Sequence, residues 1–165
     1  MPKPVGHRAF TITYEALVRE ISTPVWLEPI CTTDRTLLGA QIEISALWDT
    51  GATMTCIKPS LRDRLKLYPS SLVKPIIMSG IGGRIKADGT LVSIWLAHNF
   101  VITHCPVYIA DFPGDEELLI GMDIISMGDF VVCNTGGKTS CSFAVPPFPD
   151  RIDLADIAET VNNQS

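Results

Sequence analysis

The sequence lacks paired-cysteine spacing. Its five cysteines, Cys31, Cys56, Cys105, Cys133 and Cys141, are odd in number, widely spaced and set in apolar segments. That arrangement excludes a disulfide framework and a C-x-x-C zinc or redox site, and reads as reduced core thiols. Long apolar runs are also missing. None reaches the roughly 18 to 20 residues that a membrane span requires, and residues 1–8 carry no apolar segment of the signal-peptide kind. These absences give the expectation of a cytoplasmic protein with no membrane partner. Histidine is scarce, and neither a Ser-x-Gly nor a cysteine stands at a recognisable spacing from His7, His98 or His104, so a nucleophilic triad has no support. The net charge is -5, with Lys and Arg read as scattered rather than clustered, which argues against nucleic acid as a partner. No metal or cofactor is implied.

What remains is a chain of 165 residues, 46% hydrophobic, long enough to bury one real core. Period-2 alternation marks residues 10–17 as an amphipathic edge or interface strand. Pro24 and Pro29 bracket residues 25–28 and limit them to a short extended piece, and residues 33–35 read as a turn. From 36 to 47 the pattern is strand again, with Ile42, Ile44 and Ala46 alternating against Gln41, Glu43 and Ser45. Residues 54–57 resume a strand, and Pro59 takes the first position of a short helix through residue 65. Residues 72–78, 90–96 and 100–110 read as strands, the last as one strand or two bent near Pro106. An acidic stretch, 111–117, reads as a solvated connection, and 118–121 as a short buried strand. Asp123 suits the N-cap of a helix over 124–127 that stops at Gly128. A hairpin follows (129–133 with 139–143), then Pro146, Pro147 and Pro149 end the sheet, and 150–158 form a terminal helix. The strand count points to an all-β domain.

Three stretches carry chemistry. Trp48-Asp49-Thr50-Gly51-Ala52 leaves an apolar strand and holds a carboxylate at a glycine turn; alone, such a turn is common. Ser79-Gly80-Ile81-Gly82-Gly83 is glycine-rich but is followed by neither the helix nor the Lys-Ser/Thr of a phosphate loop, so it reads as the mobile tip of a hairpin. Leu118-Leu119-Ile120-Gly121 is an apolar strand closed by glycine.

In this order the three resemble the motifs of the retropepsins, the single-domain retroviral-type aspartic proteases, including bacterial retropepsin-like members. Residues 47–52 match the family's active-site turn, 78–86 look very like its flap, and 119–123 match its second signature. The resemblance spans roughly residues 36–143. It implies a closed retropepsin-like β-barrel with one or two short helices, working as a homodimer. The implied domain covers 36–145, with an N-terminal extension (1–35) and a C-terminal extension (146–165) bearing a short helix. Many retroviral members pair an acid at the position of Thr53 with a base at that of Met122. Here both charges are absent, a self-consistent double change, since losing one alone would strand a charge.

The implied activity is hydrolysis of peptide or protein substrates. One ionised carboxylate activates a water while its protonated neighbour hydrogen-bonds the scissile carbonyl. Two carboxylates about 3 Å apart cannot both ionise, so they share one proton. The chain contains a single Asp-Thr-Gly. The site must therefore be built from two chains, with Asp49 contributed by each across a two-fold axis. The resemblance assigns the Thr50 hydroxyl to a brace between the two turns, Gly51 and Ala52 to support, residues 79–83 to a flap that closes over substrate, and Leu119, Ile120 and Gly121 to the floor. The alternative is a catalytically silent module of the same fold that dimerises or binds peptide.

Overall fold

Strand β3 shows how the pattern becomes structure: Ile44, Ala46 and Trp48 are buried while Glu43 and Ser45 are exposed, as period 2 requires of a strand with one face on a core. In chain order the elements are β1 (Arg8–Thr13), β2 (Ile21–Pro29), β3 (Ile42–Trp48), β4 (Cys56–Ile57), α1 (Pro59–Leu65), β5 (Ile76–Gly80) and β6 (Gly83–Ala87). There follow β7 (Gly89–Ala97), β8 (Phe100–Ile109), β9 (Leu118–Ile120), α2 (Met122–Ile125), β10 (Asp129–Thr135), β11 (Lys138–Val145) and α3 (Leu154–Asn162). This computed structural model describes residues 6–30, 39, 41–80, 83–97, 99–150 and 152–163. The expected turn at 33–35, Cys31, the start of the strand expected from 36, and the flap-tip residues Ile81 and Gly82 lie outside the described residues.

Six strands close into a barrel in the order β2-β3-β9-β4-β8-β7, which is the all-β closed barrel the resemblance implies. Two of its pairings, β3 with β9 and β4 with β8, are parallel. β2 is longer than the short piece expected between its prolines. Its pairing with β7 covers only Trp26 to Pro29, and that with β3 ends at Leu27. Pro24 and Pro29 thus each have a strand neighbour on one side only, where a missing N–H breaks no ladder. β8 passes through Pro106 as one strand, irregular in its register against β7.

A second sheet, β1-β11-β10, closes one side of the barrel, with β1 at its edge as expected. Its rings Phe10, Phe130 and Phe143 gather on Trp48 and Phe100. Phe143 is fully buried, 5.1 Å from the Trp48 ring, and burying such a ring is worth about 3 kcal/mol. The Trp48 indole N–H, which burial would otherwise orphan, donates to Thr23 Oγ1 at 2.9 Å. The glycine-tipped hairpin that the resemblance assigns to a flap is a separate two-stranded sheet, β5-β6.

Several sequence readings need correction. β5 begins at Ile76, because the Ser70 hydroxyl and carbonyl take the Leu72 and Val73 N–H groups into a turn. The acidic connection is exposed at Asp111, Pro113, Gly114 and Asp115, as expected, and is also anchored: Ser22 donates to Glu116, Ser60 and Arg64 bind Glu117, and Lys58 reaches the Gly114 carbonyl. Cys133 is exposed, whereas Cys56, Cys105 and Cys141 are buried free thiols. α3 starts later than expected because Asp153 caps it through the Ala155 N–H. Along the sequence the cations are uneven: Lys58, Arg62, Arg64, Lys66, Lys74, Arg84 and Lys86, seven of the thirteen, fall within residues 58–86.

Candidate active site

The β3–β4 connection, residues 49–55, passes around the end of β9, because β9 pairs with β3 on one side and with β4 on the other. Backbone bonds lash the connection to β9 and α2. Asp49 N–H donates to the Ile120 carbonyl at 3.0 Å, Met122 N–H to Ala52 at 2.8 Å and Asp123 N–H to Thr53 at 3.2 Å. A Cβ on Gly121 would lie 2.6 Å from the Met54 backbone. Only glycine allows that approach.

Asp123 is not the N-cap of α2; Gly121 stands there. The Asp123 carboxylate instead crosses to the turn, accepting Thr55 Oγ1 at 2.7 Å and Thr55 N–H at 3.0 Å, while Thr55 Oγ1 accepts the Gly121 N–H at 3.1 Å. This Asp123–Thr55–Gly121 clamp is invisible to a reading by spacing, since its two side chains stand 68 residues apart. The one available signal was an Asp two residues beyond the Leu-Ile-Gly strand.

Asp49 itself is half-buried. Its Oδ1 accepts the Gly51 N–H at 2.8 Å, and a Cβ on Gly51 would crowd that oxygen at 3.1 Å. No donor among the described residues meets Oδ2. Thr50 is exposed beside it, its hydroxyl without a partner among the described residues. Thr53 and Met122 sit next to each other through their backbones and carry no charge.

The flap strands pair antiparallel from Ile76↔Ala87 to Gly80↔Gly83, leaving a two-residue tip. Their inner face packs on a small apolar cluster built from Cys56, Leu119, Val73 and Leu91, which Ile76, Met78, Ala52 and Met54 also join. Leu119, Ile120 and Gly121, the residues expected as the floor, are all buried. The structure thus brings the base of the β5–β6 hairpin, Ala52 and Met54 of the Asp49 connection and Leu119 of β9 to one apolar cluster, while Leu118 and Ile120 pack in the main core. Ser79, Gly80 and Gly83 stand further out on the hairpin. Among the neighbouring groups, burial and then the Asp123 carboxylate push the Cys56 and Cys105 thiols up to about 12. Neither is a thiolate nucleophile at neutral pH.

A closed barrel with an Asp-Thr-Gly connection looped around a Leu-Ile-Gly strand defines the aspartic protease class. The family model described as aspartyl protease matches residues 36–124, more than half of the chain, and the chain belongs to that family. A retropepsin-like aspartic protease from Rickettsia conorii is similar at 14% identity over 85% of this chain and 95% of that one, with TM-score 0.49. EIAV protease, in complex with the inhibitor HBY-793, is similar at 24% identity over 70% of this chain and 92% of that one, with TM-score 0.46. Simian foamy virus (mac) protease is similar at 15% identity over 63% and 92%, with TM-score 0.37. No curated protein matches the chain.

Proposed function

We propose that this chain is an aspartic endopeptidase whose active unit is a homodimer, with Asp49 supplied by each subunit. The observation that carries the reading is the half-satisfied carboxylate: Gly51 holds Oδ1, and Oδ2 is left for a second carboxylate, water or substrate. The pair holds one proton. The ionised Asp49 takes a proton from water, whose oxygen adds to the scissile carbonyl carbon, while the neutral Asp49 donates its proton to the carbonyl oxygen. Collapse of the tetrahedral intermediate passes a proton to the leaving amine and breaks the C–N bond. Thr50 braces the paired turns, and the flap from Ser79 to Gly83, with Ile81 and Gly82 at its tip, covers an extended peptide and excludes water. The body from 36 to 145 carries this machinery. The buried free thiols fit a reducing cytoplasmic setting.

The test is Asp49→Asn, assayed against a peptide library at mildly acidic pH. Cleavage falls by about a thousandfold or more while the circular dichroism spectrum is kept; cleavage untouched by the change would sink the assignment. Sedimentation checks stoichiometry, since a strict monomer cannot assemble the pair.

A further inference from the structure

Trp48 is the last residue of β3 and directly precedes Asp49. Its side chain is 5% exposed, and the indole is held more tightly than filling a core requires. Its N–H donates to Thr23 Oγ1 on β2 at 2.9 Å. The ring stacks on Phe130 of β10 at 5.1 Å and 13°, and Phe143 of β11 lies at 5.1 Å and 60°. An aliphatic side chain would fill the same volume and still turn. An indole has a single donor, so once it is buried the place of its acceptor fixes the angle of the ring. Thr23 is itself 1% exposed, on a strand paired with β3, and its hydroxyl has little room to shift.

The two ends of the Asp49 connection are held by different means. The Asp123 carboxylate and the fit at Gly121 secure Met54 and Thr55, at the end that enters β4. At the other end the ladder runs out: Trp48 pairs with Ile21 on β2 and with Ile120, the last residue of β9. Beyond it only the Asp49 N–H, on the Ile120 carbonyl, continues the pairing.

We propose that Thr23 is a positioning residue for Asp49, acting through the Trp48 indole. The bond sets the angle of the ring, the wedged ring sets the direction in which the chain leaves β3, and that direction aims the Asp49 carboxylate. The inference rests on the catalytic reading proposed above and adds to it a residue from outside the three motifs. Misplacing a reacting group by about 1 Å can cost about a hundredfold in rate, and loss of one support among several costs about tenfold. Trp95 makes a bond of the same kind away from Asp49. Its indole N–H donates to Glu28 Oε2 at 3.2 Å, toward the other end of β2, where Trp26 pairs with both Glu43 and Trp95.

The experiment compares Thr23→Val, Thr23→Ser, Trp48→Phe, the Thr23→Val/Trp48→Phe double variant and Trp95→Phe. Each is read by kcat and KM on a peptide that the parent cleaves, and by amide hydrogen exchange followed by NMR. Thr23→Val keeps the shape of the side chain and leaves the indole N–H buried without an acceptor. Its kcat falls about tenfold while KM stays within about twofold. The Asp49 and Gly51 amides, bonded to Ile120 and to Asp49 Oδ1, exchange about tenfold faster than any uniform change across β7 and β8 explains. Thr23→Ser restores both readouts, and in the Trp48→Phe background Thr23→Val has no further effect. Trp95→Phe keeps kcat, and its Asp49 and Gly51 amides change only in step with the rest of the chain. Exchange that rises uniformly, an unchanged kcat in Thr23→Val, or an equal loss in Trp95→Phe would overturn the positioning role and leave the catalytic reading in place. If the two amides respond as expected and the parent cleaves nothing, Thr23 still positions Asp49 and only the catalytic reading fails.

Discussion

The Asp49 turn and the flap face the same apolar cluster but are held in opposite ways. The turn is over-determined: backbone bonds to Ile120, Met122 and Asp123, the Asp123–Thr55–Gly121 clamp and a steric fit at Gly121 all fix it. The flap is a lone hairpin, and only its inner base is packed. The proposed pairing of two Asp49 carboxylates at about 3 Å would benefit from the first kind of support. The proposed role of the hairpin as a cover that admits and releases peptide fits the second, since such elements are drawn from the low-stability end of a structure.

The contrast can be broken hardest at Gly121. Gly121→Ala drives a methyl into the Met54 backbone and costs about 3 kcal/mol, read as a lower denaturant midpoint, and misplaces Asp49 as well. Next comes Asp123→Ala, which leaves the Thr55 N–H and hydroxyl without their acceptor. The expected loss is about 2 kcal/mol in chemical denaturation, together with peptidase activity, while Asp123→Asn recovers part of both.

A smaller effect separates the thiols beneath the site from the flap above it. Cys56 and Cys105 are raised from 9.0 to about 12, so the folded chain keeps protons that the unfolded chain loses. Their contribution is complete below about pH 9 and is lost as the pH climbs toward about 12, at up to about 1.4 kcal/mol per thiol per pH unit. Urea midpoints measured across that window fall, and fall less steeply in Cys56→Ala. The smallest stability effect belongs to the flap. Ile85→Ala, at a side chain 44% exposed, shifts unfolding by less than about 0.5 kcal/mol and is read mainly as a severalfold rise in KM. A stability loss as large as that at Gly121 would mean the flap is not the loose partner.

Part of the fold was legible in the sequence because one-sided burial leaves a period-2 record: β3, β5 and β11 carry it, whereas β7 is buried on both faces and reads as a continuous apolar run. Legibility failed where a residue's role depends on a partner far along the chain. Asp123 looks like a cap because Asp near a helix start usually is one, and the competing acceptor geometry at Thr55 arises only when β4 and β9 pair. Pro24 and Pro29 look like strand breakers because local rules do not know that each has a neighbour on one side alone. The anchoring of Glu116 and Glu117 in the otherwise exposed acidic loop appears only when Ser22, Ser60 and Arg64 are folded beside them.

By itself the sequence determined the inventory of the candidate site, one Asp-Thr-Gly turn, one glycine hairpin and one Leu-Ile-Gly strand, because each is a local conformational demand written in neighbouring residues. Tertiary structure alone decided that residues of these three stretches meet at one apolar cluster and that Gly121 and Asp123 clamp the turn. Those outcomes follow from closing the barrel around β9, a pairing across long sequence separations that no local pattern encodes.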